Sequence, residues 1–280
     1  GVVRILPYRT ALRLGGFLGE LAFVIDKRHQ RLALNNIKES FKDFTDEQAE
    51  ELARASFRNV GYTAFEFVQS WKFNKKFITD RVKFKNRQIL DDAYAKNMGV
   101  VVLTGHIGNW EFLALNESII GKPNGVVARP LDNPYLDKAV AKMRCRFGNI
   151  IINKNRGMRG IFRALDDGKA VGVLLDQNVR KNEGVFVDFF GRPACTNKGL
   201  ALIAIKTKAP IIPAFIHRTG LDTHELVIGD PMPLVDTGDR EADVLANTIA
   251  YTKTIEDFVR QYPDQWFWMH NRWKTKPEEA

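Results

Sequence analysis

The chain has 280 residues, of which 45% are hydrophobic and 27% charged, with a net charge of +9. That content can bury one large core and excludes a disordered, collagenous or coiled-coil chain. Cys145 and Cys195 are too few for a disulfide framework, no Cys/His cluster has zinc-ligand spacing, and the basic excess favours an anionic partner: a lipid surface, a phosphorylated substrate, an acidic protein or nucleic acid.

No uninterrupted run of ~18 apolar residues occurs, so no stretch reads as a bilayer span. The best candidate, ALRLGGFLGELAFVI (11–25), carries Arg13 and Glu20 and reads as an amphipathic helix lying on a membrane or on a core. The numbering opens on Gly1 rather than Met, so an upstream segment, an anchor among the options, is expected to have been left out. Thr45 with Gln48 forms a capping box that opens a long helix to about Trp71. Segment 71–87 interleaves Lys72, Lys75, Lys76, Arg81, Lys83, Lys85 and Arg87 with Trp71, Phe73, Phe77 and Phe84, against the single acid Asp80. Rings among cations suit an anionic headgroup layer or a single-stranded nucleic acid; a charged face with its aromatics in the core is the plainer alternative.

From about residue 82 the pattern alternates. GVVVLTG (99–105) is strand-like and WEFLALNESII helical; NGVVARP (124–130) is a strand ended by Pro130. RGIFRALDDG is a short helix stopped by Gly168, and KAVGVLLDQN is a strand whose last apolar residue, Leu175, precedes Asp176. Helix NKGLALIAIKTKA, strands PIIPAFIHR and THELVIGD, and a helix over about 241–261 complete the order. The alternation predicts an α/β fold: a central, mostly parallel sheet flanked by helices, with an N-terminal helical layer. We divide it into a helical, membrane-proximal region (1–80) and an α/β core (81–280).

In open α/β sheets ligands bind beyond the carboxyl ends of the strands. His106 and Asp176 both stand there. Glu111 follows His106 by five residues, so the two can meet only if His106 lies in the turn and Glu111 in the first turns of the helix, a path Gly105 and Gly108 permit. A carboxylate-held histidine is a general base. No G-x-S-x-G elbow and no nearby cysteine supplies an enzyme nucleophile, which points to a base acting on a substrate hydroxyl. On spacing alone, a structural histidine in a turn is the leading alternative.

GHIGNWE resembles the His-x-x-x-x-acid block of the lysophospholipid acyltransferase superfamily, and more specifically the bacterial late acyltransferases of lipid A, a branch that includes the phosphatidylinositol mannoside acyltransferases. VVARPLDNPYLD, DDGKAVGVLLDQN, VDFFGRPACTNKGLALIAIKTKAPIIPAFI and YPDQWFWMHNRWKTKP are similar to further blocks of that branch, in the same order. The sequence departs from the wider superfamily: Gly105 replaces Asn, the acid is Glu rather than Asp, no Glu-Gly-x-Arg phosphate block is present, and DQN stands where DQD is expected.

The resemblance implies acyl transfer from an acyl carrier protein or coenzyme A thioester to a hydroxyl of a membrane glycolipid, a lipid A precursor, at the cytoplasmic face of the inner membrane, with peripheral or N-terminal anchoring. It assigns His106 as general base and Glu111 as its orienting partner. Arg129, Asp176, Asn109, Arg159 and Arg192 are candidates for substrate binding, and Arg156 is a weaker one. The amides of the His106–Asn109 turn are candidate oxyanion donors. His217, His224 and His270 read as structural. No metal, cofactor or nucleic acid is required. A phospholipid acyltransferase of the mannoside type, a thioester hydrolase and a non-catalytic basic membrane-binding module are the alternatives.

Overall fold

A computed structural model describes residues 2–96, 99–153 and 157–277. Its frame is a seven-stranded sheet built from β1 (Val82–Lys85), β2 (Val100–Thr104), β3 (Gly125–Ala128), β4 (Ile150–Asn153), β5 (Ala170–Leu174), β8 (Ile211–Arg218) and β9 (His224–Ile228). The strand order is β1-β9-β8-β2-β5-β3-β4, and every pairing is parallel except β8 with β9. A separate antiparallel hairpin joins β6 (Gly184–Phe189) to β7 (Arg192–Asn197). The mixed α/β class and the mostly parallel sheet expected from the alternation are present.

β2 reads VVVLT and all five residues are buried, as a strand covered on both faces requires. Its register aligns Val102 with Gly172 and Thr104 with Leu174, and Gly172 with Val126. Alternation therefore places these even-numbered residues on one face, where Val102 packs with Phe112 and Leu113 of α6 (Trp110–Ile119). Val101, Leu103 and Val171 face the other side, against α8 (Gly157–Asp166), α9 (Gly199–Thr207) and α10 (Arg240–Gln261).

Three N-terminal helices, α1 (Tyr8–Ile25), α2 (Lys27–Ser40) and α3 (Asp46–Gln69), pack beside the sheet. The capping box forms as expected: the Thr45 hydroxyl accepts from the Gln48 N–H at 3.3 Å and Gln48 Oε1 accepts from the Thr45 N–H at 2.8 Å. α1 touches α3 backbone to backbone, because a Cβ on Gly61 would lie 2.1 Å from the Gly15 carbonyl oxygen. Its outer row, Leu14, Phe17, Leu18, Leu21, Val24 and Ile25, is left exposed.

One expectation for 71–87 is corrected. The segment holds α4 (Lys75–Arg81) and β1, and it is the placing of its rings that differs. Its rings do not face outward, since Phe73 and Phe77 stack at 4.2 Å and pack with Phe112 in the core; Trp71 is the exposed one. Burying the rings satisfies the core while the cations keep their water. The short elements α5 (Arg87–Ala95), α7 (Pro134–Arg144), β4 and the β6–β7 hairpin lie outside those expected, although Asn133 and Pro134 mark the start of α7.

Candidate active site

β2 ends at Thr104 and the chain turns through residues 105–109 before α6 begins. β5, its parallel neighbour, ends at Leu174. Because Thr104 and Leu174 are in register, the residues two further along, His106 and Asp176, emerge side by side. Asp176 Oδ1 lies 2.8 Å from His106 Nδ1, and its Oδ2 accepts from the His106 backbone N–H at 2.8 Å and from Trp266 Nε1–H at 2.9 Å. Burial alone would raise the Asp176 carboxyl, but the His106 charge and these hydrogen bonds outweigh it and hold the group well below the usual carboxylate range. An anion there keeps the proton on Nδ1 and leaves Nε2 as the basic nitrogen. Gln177 Nε2 stands 3.3 Å from that nitrogen.

The carboxylate at the imidazole is thus Asp176, not Glu111 as the resemblance implied. Glu111, in the first turn of α6, accepts from Arg144 Nε at 2.9 Å and from its Nη2. α6 sets out at once after the turn, whereas strand register brings Asp176 in from the side. The turn amides are also committed. The N–H groups of His106, Ile107 and Gly108 donate to Asp176, Gly105 and Gln265 respectively, which removes these three as oxyanion donors.

The turn is clamped from behind by one face of α3. The Gly108 carbonyl accepts from Asn59 Nδ2 at 3.2 Å and from the Thr63 hydroxyl at 2.9 Å. Asn109, expected at the substrate, is buried; its Oδ1 caps α6 at the Phe112 N–H, and its Nδ2 donates to Glu66 at 2.7 Å. Glu66 is fully buried and also accepts from Arg218 Nη2 at 2.5 Å and from the Tyr8 hydroxyl, with His224 Nε2 at 3.2 Å. Residues 265–267 run along the turn and are held by the same helix, Ser56 and Asn59 donating to the Trp266 and Gln265 carbonyls, with the Phe267 N–H on the His106 carbonyl at 3.1 Å.

His106 lines a cavity of about 1010 Å³, and strand alternation puts its lining residues on both faces of the sheet, one lobe on the α6 side and one on the other. The α6-side lobe is lined by Val102, Thr104, Leu113, Ala114, Val126 and Gly172, and the other by Val127, Ile161, Val173, Leu200 and Ile203. A Cβ on Gly172 would meet nothing within 4 Å, so this glycine leaves open space in the first lobe. Two mostly apolar lobes in one cavity with a carboxylate-held imidazole suit two chain-bearing substrates.

A family model described as bacterial lipid A biosynthesis acyltransferase matches residues 1–275. The chain belongs to that family. It is 26% identical over 278 residues to the lipid A biosynthesis lauroyltransferase of Escherichia coli (strain K12), covering 98% of this chain and 88% of the relative. It is 26% identical to the palmitoleoyltransferase of the same organism, with 97% and 87% covered, and 24% identical to its myristoyltransferase, with 95% and 81% covered.

In this acyltransferase, the remaining predicted residues separate. Arg129 lines the cavity mouth with its side chain largely exposed and a 3.5 Å contact to Asp132. Arg159 is exposed one position from Met158, which lines the cavity, but is not itself part of the lining. Arg192 lies over the Trp273 ring at 4.0 Å, outside the lining. Arg156 falls outside the described residues. His217 stacks on Tyr262 at 3.8 Å. His270 lines the cavity, its Nε2 accepting from the Asn178 N–H at 2.9 Å, and burial lowers its pKa to about 4. Sequence reasoning passed over Gln177, Arg144 and Trp266; the DQN and DQWFWMH stretches were the available signals.

Proposed function

We propose that this enzyme moves a fatty acyl chain from a carrier-protein or coenzyme A thioester to a hydroxyl of a lipid A-type glycolipid precursor. The observation that carries the proposal is the Asp176–His106 pair at a cavity whose mostly apolar lining comes from both faces of the sheet. The acyl chain occupies the α6-side lobe and a chain of the acceptor the other. His106 Nε2 takes the hydroxyl proton as the oxygen attacks the thioester carbonyl, and buried Asp176 stabilises the imidazolium. Gln177, beside Nε2, supplies an N–H to the tetrahedral oxyanion. Collapse expels the thiolate, which takes the proton from the imidazolium; a thiol pKa of about 8.5 makes it a ready leaving group. Base catalysis of this kind contributes roughly 10²–10⁴-fold, and alignment of the two bound substrates supplies much of the remainder.

Arg129, at the mouth, and Arg144, held by Glu111, offer guanidinium groups to phosphate on the acceptor. The exposed row on α1 beds into the inner-membrane interface where such a lipid lies. No helix among the described residues is long and apolar enough to cross a membrane. The deciding experiment incubates the enzyme and its His106→Ala variant with carrier thioesters and under-acylated lipid A precursors, following acceptor mass. Wild-type mass gain that disappears in the folded variant supports the proposal. Equal turnover by both, or fatty acid release independent of acceptor, sinks it.

A further inference from the structure

The α6-side lobe changes character along its length. α6 turns Trp110, Leu113, Ala114 and Glu117 toward it, a three- and four-residue spacing that runs along one helix face. At 1.5 Å per residue this stripe carries the wall about 10 Å inward from the His106 mouth to Glu117. The strands run the opposite way, so Thr104 and Ala128 stand near the mouth and Asn124, immediately before β3, stands at the inner end. Leu90, one helical turn from Arg87, closes the wall there.

Two oxygens at this end lack partners. Glu117 is 4% exposed; Arg87 Nη1 donates to its Oε1 at 2.8 Å, while its Oε2 receives nothing. Asn124 is 6% exposed, and its Oδ1 is also unpaired. Both oxygens are already shielded from water, so a methylene laid against them leaves that cost standing, whereas a donor placed there removes it, a difference equivalent to roughly tenfold or more in selectivity.

We propose that Glu117 and Asn124 form a hydrogen-bonding subsite at the inner end of this lobe, which ends the space for plain hydrocarbon and takes a hydroxyl carried far along a fatty chain. The subsite rests on the placement of the acyl chain in this lobe. Arg87 keeps Glu117 in place from the outer side and retains Asp91 as a second partner at 3.1 Å, so replacing Glu117 does not strand the guanidinium.

The test uses the purified full chain and a series of saturated acyl thioesters of increasing length, each beside a counterpart hydroxylated near its methyl end. Initial rates are compared for wild type, Glu117→Leu, Asn124→Leu and Glu117→Gln. Wild type should lose rate sharply once a plain chain reaches the subsite, and should prefer the hydroxylated chain of that length by about tenfold. Glu117→Leu should erase that preference and extend the tolerated plain chain, while Glu117→Gln, which keeps an oxygen acceptor, should preserve the ordering. Should Glu117→Leu not fold, Asn124→Leu decides, since the side-chain oxygen it removes has no partner to lose. Wild-type profiles in both leucine variants, or indifference of wild type to the hydroxyl, overturn the subsite. Absence of transfer by wild type with every thioester overturns the acyl-transfer proposal beneath it.

Discussion

Asp176 holds His106 twice, by the ring Nδ1 and by the backbone N–H, each at 2.8 Å. One carboxylate thereby fixes both the tautomer and the position of the basic nitrogen. The neutral amide in Asp176→Asn cannot stabilise an imidazolium, so kcat should fall on the order of 10³–10⁴-fold with little change in KM. Glu111→Gln should behave differently, because Glu111 engages Arg144: KM for the acceptor should rise several-fold with kcat largely kept. Steady-state kinetics on the two variants separate the roles, and equal kcat losses would refute the assignment.

Gly172 gives an independent handle on the cavity. Its missing side chain points into open space, so Gly172→Leu should fold normally and fill part of the α6-side lobe. Transfer of long acyl chains should drop by at least tenfold while short-chain thioesters remain substrates, as a competition assay between chain lengths would reveal. Uniform loss across lengths would mean the acyl chain lies elsewhere.

How much of this was legible beforehand follows from what a linear pattern encodes. The buried run VVVLT, the Thr45–Gln48 box and the helix stop at Gly168 are local signals, and the elements they mark are present. His106 and Asp176 were both placed at strand ends, yet their pairing was missed, because contact across 70 residues depends on strand register, and register is not written in either segment alone. The resemblance to a His-x-x-x-x-acid block points to Glu111, and a block within one segment carries no information about the neighbouring strand. The aromatics of 71–87 went wrong for a related reason: composition gives rings and cations, but only helix facing decides that Phe73 turns inward and Trp71 outward.

Glu117 gives a pH dependence of known sign. Burial pushes its carboxyl up to about 7; Arg87 opposes this, Asp91 adds to it, and Lys122 opposes it weakly. In the unfolded chain a glutamate titrates near 4.3. Between about 4.3 and 7 the folded protein keeps a proton that the unfolded chain releases, so this contribution is complete at low pH and lost as pH rises. Glu117→Gln removes the dependence. Its thermal midpoint should match wild type at pH 4 and exceed it by pH 8, by an amount equivalent to about 1–3 kcal/mol. A difference that is flat with pH would contradict the burial-raised carboxyl.

The outer row of α1 yields a surface prediction. Phe17 is 62% exposed and Leu21 39%, so charged replacements there should leave the melting temperature almost unchanged. If these side chains enter lipid, each forfeits up to about 1.5–3 kcal/mol of burial. Sedimentation with anionic vesicles should therefore show at least a tenfold loss of binding for Phe17→Glu, and transfer to vesicle-embedded acceptor should fall in parallel. Undiminished sedimentation would assign the row another role.

The clamp behind the His106 turn can be loosened in two degrees. Gly108 has φ +57°, and a Cβ there would lie 1.9 Å from the Ile216 carbonyl oxygen. Gly108→Ala combines left-handed strain of about 1–2 kcal/mol with a backbone clash, so the turn must move and carry His106 with it; both stability and activity should fall. Thr63→Val keeps the shape of the interface and removes one of two donors to the Gly108 carbonyl, at a cost of about 1 kcal/mol. If the clamp positions the base, Thr63→Val should lower kcat several-fold with KM held, and Thr63→Ser should restore it. A rise in KM, or a serine variant no better than valine, would mean that the hydroxyl supports the helix packing and leaves the alignment of His106 to the strap at 265–267, whose backbone holds the same turn.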